Sequence, residues 1–286
     1  MKGNCPICAG KDLALNKMQV ESYSLTGCNH CDFVWLNDVA STMDYAEYGE
    51  YLFGYNLKRV LNGLGRRWGG LMSALKNEFG TSLRSLDIGA GAGFFVRYAK
   101  DAGFDAYGVE PSGLLRDYAK STVGVKLFST LEEIGDERFH VISLFDVIEH
   151  IPVSELPEFM NKISALLLPG GWLIGNTPNI NSLNIKLRGN KDPVIWPPSH
   201  VSYFSAQSLD IAMKMFFFET IFTKTEGFVP FRRRKDVASF VDKPKSIVQK
   251  LLALPLRVVI KLFGKLLMPT NYGYQIYFAY RKCQHE

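Results

Sequence analysis

The stretch Leu86-Asp87-Ile88-Gly89-Ala90-Gly91-Ala92-Gly93-Phe94-Phe95 constrains this chain more than any other. It reads as a buried strand that ends near a carboxylate, turns through three glycines at alternate positions and continues into a helix. Glycines at such a turn remove Cβ atoms where the backbone bends sharply, and let a ligand approach main-chain N–H groups at a helix start. A second strand-like run, Ala106-Tyr107-Gly108-Val109, leads to Glu110. A carboxylate at that tip suits a ribose, since each oxygen can accept a hydrogen bond from a sugar hydroxyl.

Two cofactors fit that outline, and the spacing separates them. Gly89, Gly91 and Gly93 depart from the dinucleotide pattern Gly-x-Gly-x-x-Gly, having no spare residue before the third glycine. Asp87 lies two residues ahead of the first glycine, where it would repel a pyrophosphate and attract the ammonium group of a methionyl moiety. The stretch resembles motif I of the class I S-adenosylmethionine-dependent methyltransferases, and Glu110 resembles their ribose-binding acid. That resemblance implies S-adenosylmethionine as cofactor, held by Asp87, Gly89, Gly91, Gly93, Glu110 and Asp146.

Four of the five cysteines form two pairs, Cys5-x2-Cys8 and Cys28-x2-Cys31. A two-residue spacer turns both thiolates of a pair toward one tetrahedral ion, and two pairs close the site. The spacing predicts a structural zinc ribbon over residues 1–40, with no open position for catalysis. A core this small needs such a metal. His30, inside the second knuckle, is expected at the surface. An aromatic run follows, with Tyr45, Tyr48, Tyr51, Phe53 and Tyr55, suited to walling a substrate pocket or to packing the ribbon onto the domain that follows.

The rest, 41–286, alternates helix and strand signals. A helix is expected over 56–79, where Leu57, Val60, Leu61, Leu64, Trp68, Leu71, Met72 and Leu75 recur at helical spacing. Strands are expected at Ser82–Ile88, Asp105–Val109, Val123–Leu127, Phe139–Phe145, Gly171–Thr177, Phe216–Lys224 and Tyr274–Arg281. Helices fall between them, near 93–102, after Pro111, near 154–168 and at Ala206–Met215. Pro169-Gly170-Gly171 reads as the stop of the 154–168 helix. Such alternation implies an α/β fold with a doubly wound parallel sheet. The resemblance implies its seven-stranded, Rossmann-like form, with a helical insertion at 230–270 before an antiparallel last strand.

The fourth expected strand leads into Asp146-Val147-Ile148-Glu149-His150-Ile151-Pro152, at the carboxyl edge of the sheet, where ligands bind in such folds. It resembles the ubiquinone-pathway O-methyltransferases and, more distantly, the small-RNA 2′-O-methyltransferases. Both carry an acidic residue and then Glu-His here, a turn like Thr177-Pro178-Asn179, and a later histidine before an aromatic pair, as in His200-Val201-Ser202-Tyr203-Phe204. The resemblance implies a divalent cation on Asp146, Glu149, His150 and His200. Asp146 departs from the pattern, because those relatives often have the longer Glu there. Two other readings stand beside the cation. His150 can serve alone as general base near neutral pH. Alternatively Glu149 and His150 cap the next helix, and His200 is a loop residue. Trp196, Tyr203 and Phe204 are candidates for acceptor contact or for core packing.

The net charge of +5 conceals an asymmetry. Residues 230–286 hold 12 Lys/Arg against 3 Asp/Glu, leaving 21 of the 33 basic and 25 of the 28 acidic residues to the remainder. Lys250, Arg257, Lys261 and Lys265 share one face of a helix divided by Pro255. Such a basic amphipathic segment suits an anionic membrane surface and a lipid-linked acceptor, such as a quinone precursor or a polyprenyl-linked saccharide. The alternative is a helix pair packed on the domain. No apolar leader and no run of about 18 uncharged apolar residues occurs, so a cytoplasmic protein, peripheral at the inner face of the membrane, is expected. The expected activity is methyl transfer to a small-molecule hydroxyl. An RNA methyltransferase, with ribbon and tail gripping phosphates, is a second reading. A scaffold that keeps the fold without catalysis is a third.

Overall fold

A computed structural model describes residues 3–37, 55–80, 82–227, 262 and 270–283. The basic segment 230–270, apart from Leu262 and Thr270, and the aromatic positions Tyr45, Tyr48, Tyr51 and Phe53 lie outside the described residues. Among those described, no helix is long and apolar enough to cross a membrane.

The larger sheet has six strands in the order β5-β4-β6-β7-β10-β9. They are β4 (Arg84–Ile88), β5 (Asp105–Val109), β6 (Phe139–Phe145), β7 (Leu167–Pro178), β9 (Phe218–Glu226) and β10 (Gln275–Lys282). Strands β5 and β6 flank β4 in parallel, which sets Asp87 beside Gly108 on one side and Ser143 on the other. Leu86, Ile142 and Leu144 are fully enclosed, as expected of strands covered on both faces. The α/β class with a mostly parallel sheet follows the expectation, and two sequence details differ. The expected strand at Val123–Leu127 is reduced to an isolated parallel bridge, Val109↔Phe128. Residues Ala119–Val123 are used up in a wide helical turn closed by Gly124 at φ 80°. Pro169-Gly170-Gly171 does not stop a helix. Helix α4 (Leu156–Leu166) ends earlier, and these residues lie inside β7.

The chain divides into two compact units. One contains the described residues of 44–145, 161–174 and 281–286. Its first helix, α1 (Leu57–Phe79), starts where the Asn56 side chain accepts from the Arg59 amide, and buries Trp68, Met72 and Leu75 along one stripe. Trp68 and Phe95 both pack on Phe145, with ring centroids 5.1 and 4.5 Å away. The remaining helices of this unit are α2 (Phe94–Asp101) and α3 (Gly113–Tyr118).

The other unit gathers the described residues of 1–43, 146–160 and 175–280. Its smaller sheet runs β1-β2-β3-β8, from β1 (Leu13–Val20), β2 (Tyr23–Cys28) and β3 (Val34–Leu36) of the cysteine-bearing segment to the two-residue β8 (Ser202–Tyr203). Strand β3 pairs antiparallel with β8 through Val34↔Tyr203 and Trp35↔Ser202. Val20, Leu25, Val34 and Leu36 share one core with Ile180, Ile185, Val194, Ile195, Val201 and Tyr203. A fully buried aliphatic side chain contributes about 1.5–3 kcal/mol, so this shared core is the main apolar support of both segments. Helices α5 (Leu183–Arg188) and α6 (Ala206–Met215) also lie in this unit, and α6 is held by a reciprocal Ser205–Ser208 cap.

Candidate active site

In the first unit the glycine turn forms a backbone cradle. Gly89, Gly91 and Gly93 all have positive φ, at 68°, 53° and 73°. This left-handed region is costly for residues with a Cβ. Gly93 is doubly required, since a Cβ there would stand 2.6 Å from Val125 Cγ2. It also begins α2. Glu110 is buried and pinned: the Gly91 amide donates to Oε2 and the Ser112 amide to Oε1, both at 2.8 Å. Each carboxylate oxygen has two lone pairs, so one on each stays available to an incoming hydroxyl. Burial raises the Glu110 pKa, against the pull of those two amides. Asp87 is also buried and accepts from Ser143 Oγ at 2.6 Å. Burial, then the Glu110 charge, pushes it up to about 7, although the Ser143 hydrogen bond opposes the shift. An enclosed carboxylate poised at neutrality is stabilised by a cationic ligand. These residues fit the methionyl-ribosyl donor implied by the sequence.

The second unit holds a different arrangement. Glu149, His150 and His200 each offer a ligand atom, all within 4.8 Å of one another. Glu149 and His150 lie on a single 3-10 turn (Ile148–His150) just after β6. His200 precedes β8, and the Val201 amide donates to the Glu149 carbonyl at 2.9 Å. Thr177 Oγ1 donates to Glu149 Oε2 at 2.9 Å, while Oε1 is buried with no hydrogen-bond partner. His150 Nδ1 lies 2.7 Å from the Ser199 carbonyl, and His200 Nδ1 2.8 Å from that of Val194. A carbonyl only accepts, so both Nδ1 atoms carry hydrogen and both neutral rings keep their lone pair on Nε2. Burial, followed by the neighbouring His150, holds His200 down at about 3; burial also lowers His150. Burial and then Asp146 raise Glu149 well above the usual carboxylate range. Two neutral imidazoles and a buried carboxylate with an unpaired oxygen form a donor set for a divalent cation.

Asp146 stands apart from this set. Its Oδ1 accepts from Asn176 Nδ2 at 2.8 Å and from Gln275 Nε2 at 2.6 Å, and its φ of 54° turns the chain. The Gln275 contact comes from β10, 129 residues away, and nothing in the local sequence announces it. Tyr203 and Phe204 are core residues. Phe204 packs on Phe33 at 4.9 Å, and the Tyr203 hydroxyl donates to the His200 carbonyl at 2.8 Å. Thr177, through its bond to Glu149, was visible in the sequence only as part of a turn.

The four N-terminal cysteines, Cys5, Cys8, Cys28 and Cys31, also converge within 4.8 Å. Their Sγ atoms are 3.7 Å apart for Cys5–Cys31 and 3.5 Å for Cys8–Cys28. A hydrogen bond from Cys31 holds Cys5 down at about 5, and keeping that proton pushes Cys31 up. Four sulfurs this close are compatible with a tetrahedral zinc ion. His30 is exposed.

A family model described as a methyltransferase domain matches residues 57–221, more than half of the chain. The chain belongs to this family, within the class I S-adenosylmethionine-dependent methyltransferases. Among curated proteins it is similar to ubiquinone biosynthesis O-methyltransferases. That of Rhodopseudomonas palustris (strain BisB5) is 31% identical over 128 residues, 41% of this chain and 49% of the relative. That of Bradyrhizobium sp. (strain ORS 278) is 27% identical over 181 residues, 57% of this chain and 68% of the relative. The chain thus spans about half the length of the first of these relatives and about two thirds of the second. Among solved structures, a SAM dependent methyltransferase from Archaeoglobus fulgidus superposes with TM-score 0.51 at 19% identity, covering 84% of this chain and all of that one. This likeness shows the fold.

Proposed function

We propose that this chain transfers the methyl group of S-adenosylmethionine to a hydroxyl oxygen of a small-molecule acceptor, with a divalent cation held by Glu149, His150 and His200. The observation that carries this reading is the buried, unpartnered Oε1 of Glu149 among two imidazoles whose Nδ1 atoms are already committed. A cation bound there lowers the pKa of a coordinated hydroxyl and fixes its orientation. The named O-methyltransferase relatives support oxygen as the atom methylated.

The residues of the chain divide the work. Glu110, its carboxylate held by Gly91 and Ser112, would accept from the ribose hydroxyls of the bound donor. Asp87 meets the donor's amino group. Ser199 and Val194 orient the imidazoles, and Thr177 orients Glu149. Methyl transfer is an in-line displacement at the sulfonium, so holding the atoms close and aligned supplies most of the rate. The four cysteines would hold a structural zinc. The basic character of 230–270 supports an amphiphilic acceptor met at an anionic surface.

The test is transfer of radiolabelled methyl from S-adenosylmethionine to three acceptor classes: catechols with a prenyl side chain, polyprenyl-linked saccharides, and RNA. Label in a small-molecule fraction, abolished by a chelator and restored when Mn2+ or Mg2+ is added back to chain reloaded with zinc, is expected. Label in RNA alone would overturn the reading.

A further inference from the structure

The ribbon does more than decorate the fold. Three sets of contacts tie it to the segment that presents His200. Strand β3 is the partner along which β8 is built, and the Leu36 amide donates to the Val201 carbonyl at 2.9 Å. Residue 201 in turn bonds the Glu149 carbonyl, and Ser202 Oγ donates to the Ile151 carbonyl at 2.6 Å. The second cysteine knuckle is bonded to the same region. Ser205 Oγ donates to the Cys31 carbonyl at 2.9 Å, and Asn181 Nδ2 donates to Asp32 Oδ2 at 2.8 Å. Ribbon residues Val20, Leu25, Val34 and Leu36 share their core with Val194, whose carbonyl orients His200, and with Val201 and Tyr203.

A two-residue strand has almost no stability of its own, and its register comes from its partner. Without β3, His200 loses the element that fixes its position, and Val194 loses part of the packing that aims its carbonyl. A forty-residue ribbon holds its shape only when the thiolates are bridged by metal.

We infer that the ribbon is the positioning element of the acceptor-side centre: a metal at Cys5, Cys8, Cys28 and Cys31 governs whether His200 joins Glu149 and His150. This rests on the proposed cation centre, and extends it by assigning the ribbon a role in building that centre rather than in gripping nucleic acid. The donor cradle around Gly89, Gly91, Gly93 and Glu110 belongs to the other unit and is expected to be indifferent to the ribbon metal.

The experiment compares the zinc-loaded full chain with the Cys8→Ser chain and with chain stripped of zinc by a chelator. Hydrogen exchange, S-adenosylhomocysteine titration and Mn2+ binding are the readouts. Loss of zinc is expected to speed amide exchange over 34–36 and 194–204 by about tenfold or more, as expected for local opening. Exchange over 84–110 and the S-adenosylhomocysteine Kd stay within about twofold, since sites with no shared partners behave independently. Mn2+ affinity falls about tenfold or more, the usual cost of losing ligand support. Unchanged exchange over 194–204 would overturn the inference, and so would equal loss of protection over 84–110, which marks global unfolding. If zinc-loaded chain binds no Mn2+, the cation reading fails, and the exchange pattern still decides the ribbon's role.

Discussion

The donor cradle and the Glu149–His150–His200 centre are built on opposite principles. The cradle is local. Asp87 to Glu110 covers 24 positions of sequence, and Glu110 is held by backbone amides of Gly91 and Ser112, with Ser143 of the adjacent strand as the one distant partner, on Asp87. The other centre is assembled from 149–150, 177, 194 and 199–200, and is propped by strands from the far N-terminus. In the cradle each Glu110 oxygen already accepts one backbone amide, and Asp87 accepts from Ser143. The centre leaves one carboxylate oxygen buried without a partner. An unsatisfied buried acceptor costs about 1–3 kcal/mol, a cost that a bound cation or an ordered water at that oxygen would remove.

Substitutions can break this contrast, and the largest effect belongs to the assembled centre. Glu149→Gln keeps the shape and removes the charge. Methyl transfer is expected to fall about 10²–10⁴-fold, with S-adenosylhomocysteine affinity unchanged by calorimetry. Next comes Glu110→Ala in the cradle. It removes two charge-assisted hydrogen bonds, each worth about 1.5–3 kcal/mol, and strands the Gly91 and Ser112 amides. Donor affinity is expected to drop about a hundredfold or more, while Mn2+ binding holds.

A third substitution separates shape from chemistry. Gly93→Ala places a Cβ against Val125 in a left-handed conformation, and is expected to cost about 2–4 kcal/mol in urea unfolding. An unaltered midpoint would show that the turn relaxes. The smallest effect is one of pH. Unliganded Asp87 titrates at about 7, and the donor's ammonium favours its ionised form. Binding therefore requires loss of a proton below that point. Affinity is expected to fall with acidity, by up to about tenfold per pH unit below 7, and to level off above. Asp87→Asn should flatten this slope.

The two regions also differ in how much the sequence revealed. The spacing of glycines and acids marks the cradle because its geometry comes from backbone torsions a few residues apart. Strands Asp105–Val109 and Phe139–Phe145 and helix Ala206–Met215 follow their apolar patterns to the residue. Family likeness, rather than periodicity, brought Glu149, His150 and His200 together. It also suggested Asp146 as a fourth ligand, a position whose carboxylate instead takes amides from Asn176 and Gln275. The pairing of β3 with β8 left no trace in the sequence. Two-residue strands have no period to detect, and their existence depends on a partner some 170 residues away. Pro169–Gly171 misleads for a related reason: Gly170, at φ 74°, is accommodated inside β7 rather than ending a helix.

We propose that Glu149, His150 and His200, without Asp146, form the divalent-cation centre. Mn2+ titration followed by electron paramagnetic resonance tests it most directly, on zinc-loaded wild type, Glu149→Gln, His200→Ala and Asp146→Asn chains. One bound Mn2+ per chain is predicted for wild type and Asp146→Asn, with none in the other two. Binding that survives Glu149→Gln and His200→Ala, or that disappears with Asp146→Asn alone, would contradict the account.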